Sequence, residues 1–249
     1  MSVLTQAQID FFNEEGYLVV EDLLSSEEIS YYSEKYDAIL EGKIDTTGLR
    51  SDLSGSGEQS KELITQIMVP SKVYPDFLEH PLHNRAVEIA KELLGDDMSL
   101  DFDMLINKTP GVSSETPWHQ DASYWLDMPD KRAVSFWTAI DPAFLDNGCM
   151  WYTPKSHLDP LRLHKQVGSG GALQCEGSES ESVFIELNPG SCVLHHGQTV
   201  HYSRANISTF SRRAFILNYR PLAMIQYERE RGYDHTGERS VKSLSLIHI

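Results

Sequence analysis

Residues 119 to 121 read His-Gln-Asp; His201 lies eighty positions after Asp121, in Thr-Val-His-Tyr-Ser, and Arg212 follows eleven positions later. Two imidazoles and one carboxylate can hold a divalent metal on one face and leave the opposite face open. That is the donor set of non-haem Fe(II) centres that activate O2. Fe(II) takes six donors, so three protein ligands leave room for a bidentate 2-oxo acid and O2. The guanidinium of Arg212 is suited to the far carboxylate of such an acid, because its planar fork makes two parallel charge-assisted bonds.

The spacing has a physical reason. Strand side chains alternate between faces, so positions i and i+2 point the same way. A strand over 117–121 would therefore aim His119 and Asp121 at one ion, with Gln120 turned elsewhere. The third ligand must come from a strand near in space and distant in sequence. His201 fits, because it follows the turn at Asn188-Pro-Gly and the apolar run Ser-Cys-Val-Leu. A lone His-x-Asp is most often a solvated turn; the ordered His and Arg downstream favour the metal. His195 and His196 compete with His201. They are adjacent, so at most one faces the ion, and one of them could instead orient a ligand. Arg213 competes with Arg212 in the same way, and spacing from His201 favours Arg212. His157 reads as a structural histidine, and the histidines at 80, 83, 164, 235 and 248 stand in no partner pattern. Trp118, Tyr124, Trp125, Trp151 and Tyr202 cluster around the ligands in sequence. Core packing is their default role, though some could line an apolar substrate pocket.

These groups need a scaffold. Thr5 can cap a helix ending at Gly16, and Tyr17-Leu-Val-Val reads as a strand. Ser25-Ser-Glu-Glu28 is a capping box for a helix over about 26–41. Residues 42–60, rich in Gly, Ser and Asp, read as a mobile loop. A helix over 80–95 closes on Gly95. From residue 99 the pattern changes to strands: 99–107, 117–121, 133–140, 148–153, 183–187, 191–196, 200–203 and 212–220. Eight short strands after a helical start predict a mainly β fold, a double-stranded β-helix of jelly-roll or cupin type. It would be one domain over 1–249: a mostly helical flanking part at 1–98, a jelly-roll core at 99–227 and a tail at 228–249 packing outside the barrel. Residues 167–182 read as a long structureless stretch, a lid or a disordered loop by its length, with Cys175 exposed in it.

Composition narrows the function. The chain has 249 residues and a formal net charge of −16. That charge disfavours a nucleic-acid surface or an anionic membrane as partner, since both require basic patches, and leaves a small molecule as the expected substrate. No apolar run reaches the roughly twenty residues that span a bilayer, and the N-terminus lacks the pattern of a signal peptide. Three cysteines, Cys149, Cys175 and Cys192, are too few and odd in number for a disulfide framework. These features make the cytoplasm the expected location, a reducing compartment that keeps iron ferrous.

Several segments resemble the phytanoyl-CoA dioxygenase family of Fe(II)/2-oxoglutarate oxygenases. They are Phe11-Phe-Asn-Glu-Glu-Gly-Tyr-Leu-Val-Val-Glu-Asp-Leu-Leu24, Asp103-Met-Leu-Ile-Asn-Lys108, Trp118-His-Gln-Asp121, Val134-Ser-Phe-Trp-Thr-Ala-Ile-Asp141, Asn147-Gly-Cys-Met-Trp-Tyr-Thr-Pro-Lys-Ser-His157, Pro189-Gly190, His201-Tyr-Ser-Arg-Ala-Asn206 and Arg212-Arg213. The resemblance implies Fe(II) held by His119, Asp121 and His201, with 2-oxoglutarate chelating it. It implies Arg212 on the distal carboxylate, Ser203 donating its hydroxyl, and Met104 and Trp137 lining the cosubstrate pocket. Gln66 aligns where better-known members carry a lysine toward the cosubstrate, so a positive charge is missing there. Related halogenases replace the metal carboxylate with a small residue; Asp121 points instead to hydroxylation or desaturation.

The expected activity is thus an Fe(II)/2-oxoglutarate-dependent dioxygenase that hydroxylates a C–H bond of a small organic substrate and releases succinate and CO2. Two readings compete. One is a non-catalytic metal- or ligand-binding jelly roll of the same family, which Gln66 makes conceivable. The other is a Zn(II) hydrolase, which lacks an obvious general base and leaves Arg212 without a role.

Overall fold

Two capping boxes start the chain. Thr5 and Ser25 each accept from the backbone of the third helical residue, and Gln8 and Glu28 reach back to the caps. The first helix, α1 (Gln6–Glu15), stops at Gly16, whose φ of 80° suits glycine. Strand β1 (Tyr17–Val20), helix α2 (Ser26–Leu40), and strands β2 (Arg50–Asp52) and β3 (Ile64–Met68) follow. Helix α3 (Pro81–Leu94) begins with proline and closes on Gly95. Then come β4 (Met98–Lys108), β5 (Thr116–His119), β6 (Val134–Ala139), β7 (Met150–Tyr152), β8 (Lys165–Val167), β9 (Ala172–Gln174), β10 (Val183–Ile185), β11 (Cys192–His196), β12 (His201–Ser203), β13 (Arg212–Pro221) and α4 (Leu222–Arg229). This computed structural model describes residues 3–54, 62–111, 114–167 and 172–234.

Two antiparallel sheets face each other, as expected for a jelly roll. The larger runs β1-β11-β6-β13-β4-β3-β2 and the smaller β10-β7-β12-β5. Alternation along the long strands divides the core into two layers. Phe136, Phe215, Leu217 and Leu105 pack outward against Tyr32, Tyr36, Phe77 and Ile89 of the helical part. Trp137, Ala214, Ile216 and Val193 pack inward against Met150 and Tyr152 of the smaller sheet. Because both faces of the larger sheet are buried, its central strands read as near-continuous apolar runs.

Four expectations change. Residues 50–52, placed in a mobile loop, pair with β3, and the Asp52 carboxylate accepts from the Ile64 N–H at 3.1 Å; residues 55–60 of that loop lie outside the described residues. The stretch 167–182 holds the second strand of the β8–β9 hairpin, with 168–171 outside the described residues. Cys175 is buried, its N–H donating to Trp118 O at 2.8 Å. The segment from 228 begins inside α4, where Glu228 is fully buried against Arg220; residues 235–249 lie outside the described residues. Strands of three residues such as β2 and β9 are too short to show the alternation that marks a strand in sequence.

Candidate metal centre

β5 and β12 lie side by side in the smaller sheet, with His201 directly opposite His119. The strand ends at His119, and Asp121 opens a 3-10 turn over Asp121–Tyr124. The expected single strand through 121 is therefore shorter, and the turn rather than strand alternation delivers the carboxylate. His119, Asp121 and His201 nevertheless converge, with one donor atom from each within 4.8 Å of the others. Asp121 Oδ1 lies 3.7 Å from His119 Nε2 and 3.5 Å from His201 Nε2.

The outer atoms of each group are already engaged. His119 Nδ1 lies 2.7 Å from Pro117 O, and His201 Nδ1 lies 2.9 Å from Thr199 O. A carbonyl only accepts, so each ring carries its proton on Nδ1 and presents an Nε2 lone pair inward. On Asp121, Oδ2 accepts from Ser135 Oγ at 2.7 Å and from His195 Nε2 at 3.1 Å. Ser135 in turn accepts from Asn218 Nδ2 at 2.8 Å. His195, Ser135 and Asn218 are direct cross-strand neighbours on β11, β6 and β13. This polar row on the inner face fixes Oδ2 and leaves Oδ1 to join the two Nε2 atoms.

Protonation favours the same donors. Burial lowers the His119 imidazole, and burial with the neighbouring histidines holds His201 well below the usual range. Burial alone would raise Asp121, but His201, His195 and His119 outweigh it and hold the carboxyl far below its ordinary range. Two neutral imidazoles and an anionic carboxylate are the states a divalent cation requires. The donor set fits Fe(II), whose open positions it would leave free.

The adjacent arginines point in opposite directions. Arg213 points outward to Asp141 and Asp37 at 2.8 and 2.5 Å. Arg212 points inward, only 1% exposed, with its Nε and Nη1 donors unpartnered. Its guanidinium lies 4.9 Å from the Trp137 ring centroid, and burial lowers its pKa to about 10. Buried donors without acceptors are costly, and a carboxylate facing the guanidinium would supply acceptors. Met104 and Trp137 both face Ile216 across the strands, on the face that carries Arg212. Ser203 is buried at the end of β12. The side-chain amide of Gln66, on β3, donates to the thioether sulfurs of Met68 and Met104, at 3.1 and 3.0 Å.

Of the other histidines, His195 orients Asp121, and His196 faces away with its Nδ1 accepting from the Gln198 N–H. His157 bonds Asn13 O, a structural contact. His164, which had no partner pattern, accepts from the Gln120 N–H at 3.1 Å. Gln120 is fully buried: its Oε1 accepts from Arg162 N and its Nε2 donates to Gln198 O, tying the ligand turn to two loops. Trp118 and Tyr202 stack at 4.6 Å in a separate outer cluster with Trp151. Trp125 lies over Arg220. Tyr124 has its ring 6.1 Å from that of His119. Ser135, Asn218 and a buried lysine, Lys108, escaped the sequence reading; a polar residue two before Trp137, on the same strand face, was the available signal for Ser135.

The family model for phytanoyl-CoA dioxygenase (PhyH) matches residues 12–214. A zebrafish (Danio rerio) phytanoyl-CoA dioxygenase domain-containing protein 1 is 26% identical, the match covering 86% of this chain and 89% of that protein. An Arabidopsis thaliana phytanoyl-CoA dioxygenase is 27% identical over 86% and 88% of the two chains. Among solved structures, EvdO2 from Micromonospora carbonacea var. aurantiaca complexed with 2-oxoglutarate superposes with a TM-score of 0.73 at 27% identity, covering 88% of this chain and 93% of that one.

Proposed function

This chain belongs to the phytanoyl-CoA dioxygenase family, and we propose that it is an Fe(II)/2-oxoglutarate-dependent dioxygenase that hydroxylates a C–H bond of a small organic substrate. One observation carries the reading: two Nε2 lone pairs and one carboxylate oxygen converge on a point, each held by a hydrogen bond on its far side. His119, Asp121 and His201 would hold the ion. When bound, iron with 2-oxoglutarate and O2 supplies the oxidation and releases succinate and CO2.

The residues of this chain orient and exclude. The unpartnered donors of Arg212 would take the distal carboxylate. Met104, Trp137 and Ser203 would wall the cosubstrate pocket, and Gln66 would offer it a neutral donor. Ser135 and His195 keep the Asp121 carboxylate turned inward. We read the whole chain as one oxygenase domain. No helix among the described residues is long and apolar enough to cross a membrane. The three cysteines are free and buried, which accords with the reducing cytoplasm that ferrous iron needs.

Purified protein supplied with Fe(II), 2-oxoglutarate, O2 and a panel of small organic substrates tests this reading. Succinate formed in step with oxidised substrate is the expected result. Iron binding without succinate under any condition would contradict it and favour a metal-binding jelly roll without turnover. A hydrolytic zinc centre would leave the buried donors of Arg212 without a role.

A further inference from the structure

Lys108 is fully buried and has no part in the chemistry described so far. It sits on β4 directly opposite Arg212 on β13, so both side chains occupy one face of the larger sheet. Its ammonium donates to three carbonyls: Ser114 O at 3.0 Å, Ser203 O at 3.1 Å and Arg204 O at 2.6 Å. An ammonium has three N–H donors and a neutral amine two, so three acceptors fit the charged form. Among the described residues, no carboxylate lies within ion-pair distance of Lys108 or Arg212. Asp141 belongs to Arg213, and Glu115 accepts from Tyr202 at 3.3 Å. Two buried cations therefore share one end of the barrel with no contacting counter-charge, an arrangement that favours an incoming anion.

We propose that Lys108 is the second cation of the pocket for the distal carboxylate, a positioning residue that acts beside Arg212 without touching the ligand. Its three donors are spent on carbonyls, so its influence is through the field it adds and the segments it fastens. Those segments matter: Ser114 lies five residues before His119, and Ser203 two after His201. One ammonium thus ties the approaches to both histidine ligands to the strand facing Arg212. The neutral carboxamide of Gln66 adds no charge to this face, which leaves Lys108 to supplement Arg212. The inference rests on the reading that Arg212 receives a carboxylate.

Charge coupling gives the idea a measurable sign. Burial and then the Arg212 guanidinium push Lys108 well below the usual lysine range, while Glu115 and Cys149 act the other way. Cys149 is itself pushed up to about 12 by burial and stays neutral below that. The Arg204 guanidinium is turned to Glu179 and away from Lys108. An anion arriving on Arg212 stabilises the Lys108 ammonium, so binding takes up a proton, and affinity falls as pH rises through the Lys108 ionisation.

The test is anaerobic titration of the Fe(II)-loaded protein with 2-oxoglutarate between pH 7 and 9, below the value of about 10 to which burial lowers Arg212. The wild type should lose affinity toward high pH. Lys108→Met should bind 2-oxoglutarate about tenfold or more weakly at neutral pH, with a flatter pH profile than wild type. Wild-type affinity and pH dependence in Lys108→Met would overturn the proposal. If that variant does not fold, calorimetry of wild type in two buffers of different ionisation enthalpy decides. Proton uptake on binding supports the proposal, and none across this range overturns it. Wild type that binds no 2-oxoglutarate at all would instead strike at the reading of Arg212.

Discussion

Ser135 Oγ donates to Asp121 Oδ2 at 2.7 Å, and together with His195 Nε2 on the same oxygen it decides which oxygen of the carboxylate faces His119 and His201. Ser135 is buried on β6 and is itself held by Asn218. The carboxylate hangs on a 3-10 turn rather than on a strand, so its direction is set from the sheet beneath it.

Ser135→Ala should therefore weaken Fe(II) binding by about ten- to a hundredfold, the usual effect of removing a group that orients a metal ligand. The fold should persist, because the change is small. Metal titration with circular dichroism as control checks it.

Removing Arg212 should have opposite effects on binding and on the stability of the ligand-free chain. Arg212→Met loses two charge-assisted bonds to a carboxylate, each worth about 1.5–3 kcal/mol, so 2-oxoglutarate affinity should fall by two orders of magnitude or more. The same change removes a buried charge with unpartnered donors, and the ligand-free variant should melt at or above the wild-type temperature. Parallel binding and melting curves on the two proteins check both halves.

Acid should destabilise the metal-free protein early. His119, His201 and His196 are all lowered by burial, His196 to about 4. In the unfolded chain they take up protons near pH 6.5. Folding keeps them neutral, so the unfolded state binds more protons as pH falls, and stability drops once pH passes below about 6.5. Asp121 has the same sign at lower pH, since its lowered pKa makes a contribution that is lost on acidification. Melting temperature should fall between pH 7 and 5 and should fall less in His196→Asn. A pH-independent melting temperature over that interval would contradict this.

A buried ionic cluster anchors α4. Arg220 is paired with Asp101 and Glu228, all three are fully buried, and Glu228 Oε1 also accepts from the Leu126 N–H at 2.8 Å. Glu228→Ala strips partners from a buried arginine and should cost about 3–5 kcal/mol. Denaturant unfolding monitored by tryptophan fluorescence reads the loss.

The convergence of His119, Asp121 and His201 and the burial of Arg212 were legible because these residues are chemically distinctive and ordered along the chain. The jelly roll was legible because its inner strands are apolar on both faces. The one-strand account of His119 and Asp121 fails after His119, because Ala122 N bonds to Gly197 O and the chain turns. Cys175 looked exposed amid Gly and Ser, yet that polar loop folds over Trp118; a Cβ on Gly177 would sit 2.4 Å from the indole. Ser135, Asn218 and Lys108 were missed because their roles depend on cross-strand register, which no local pattern encodes.

The most direct test of the central claim is anaerobic titration of the metal-free protein with Fe(II) and then 2-oxoglutarate, following the visible metal-to-ligand charge-transfer band. The convergence of His119, Asp121 and His201, with Arg212 buried on β13, predicts a band that saturates with one iron and one cosubstrate per chain, and disappears in His119→Ala. Tight Fe(II) binding that gives no band at any 2-oxoglutarate concentration would contradict the account.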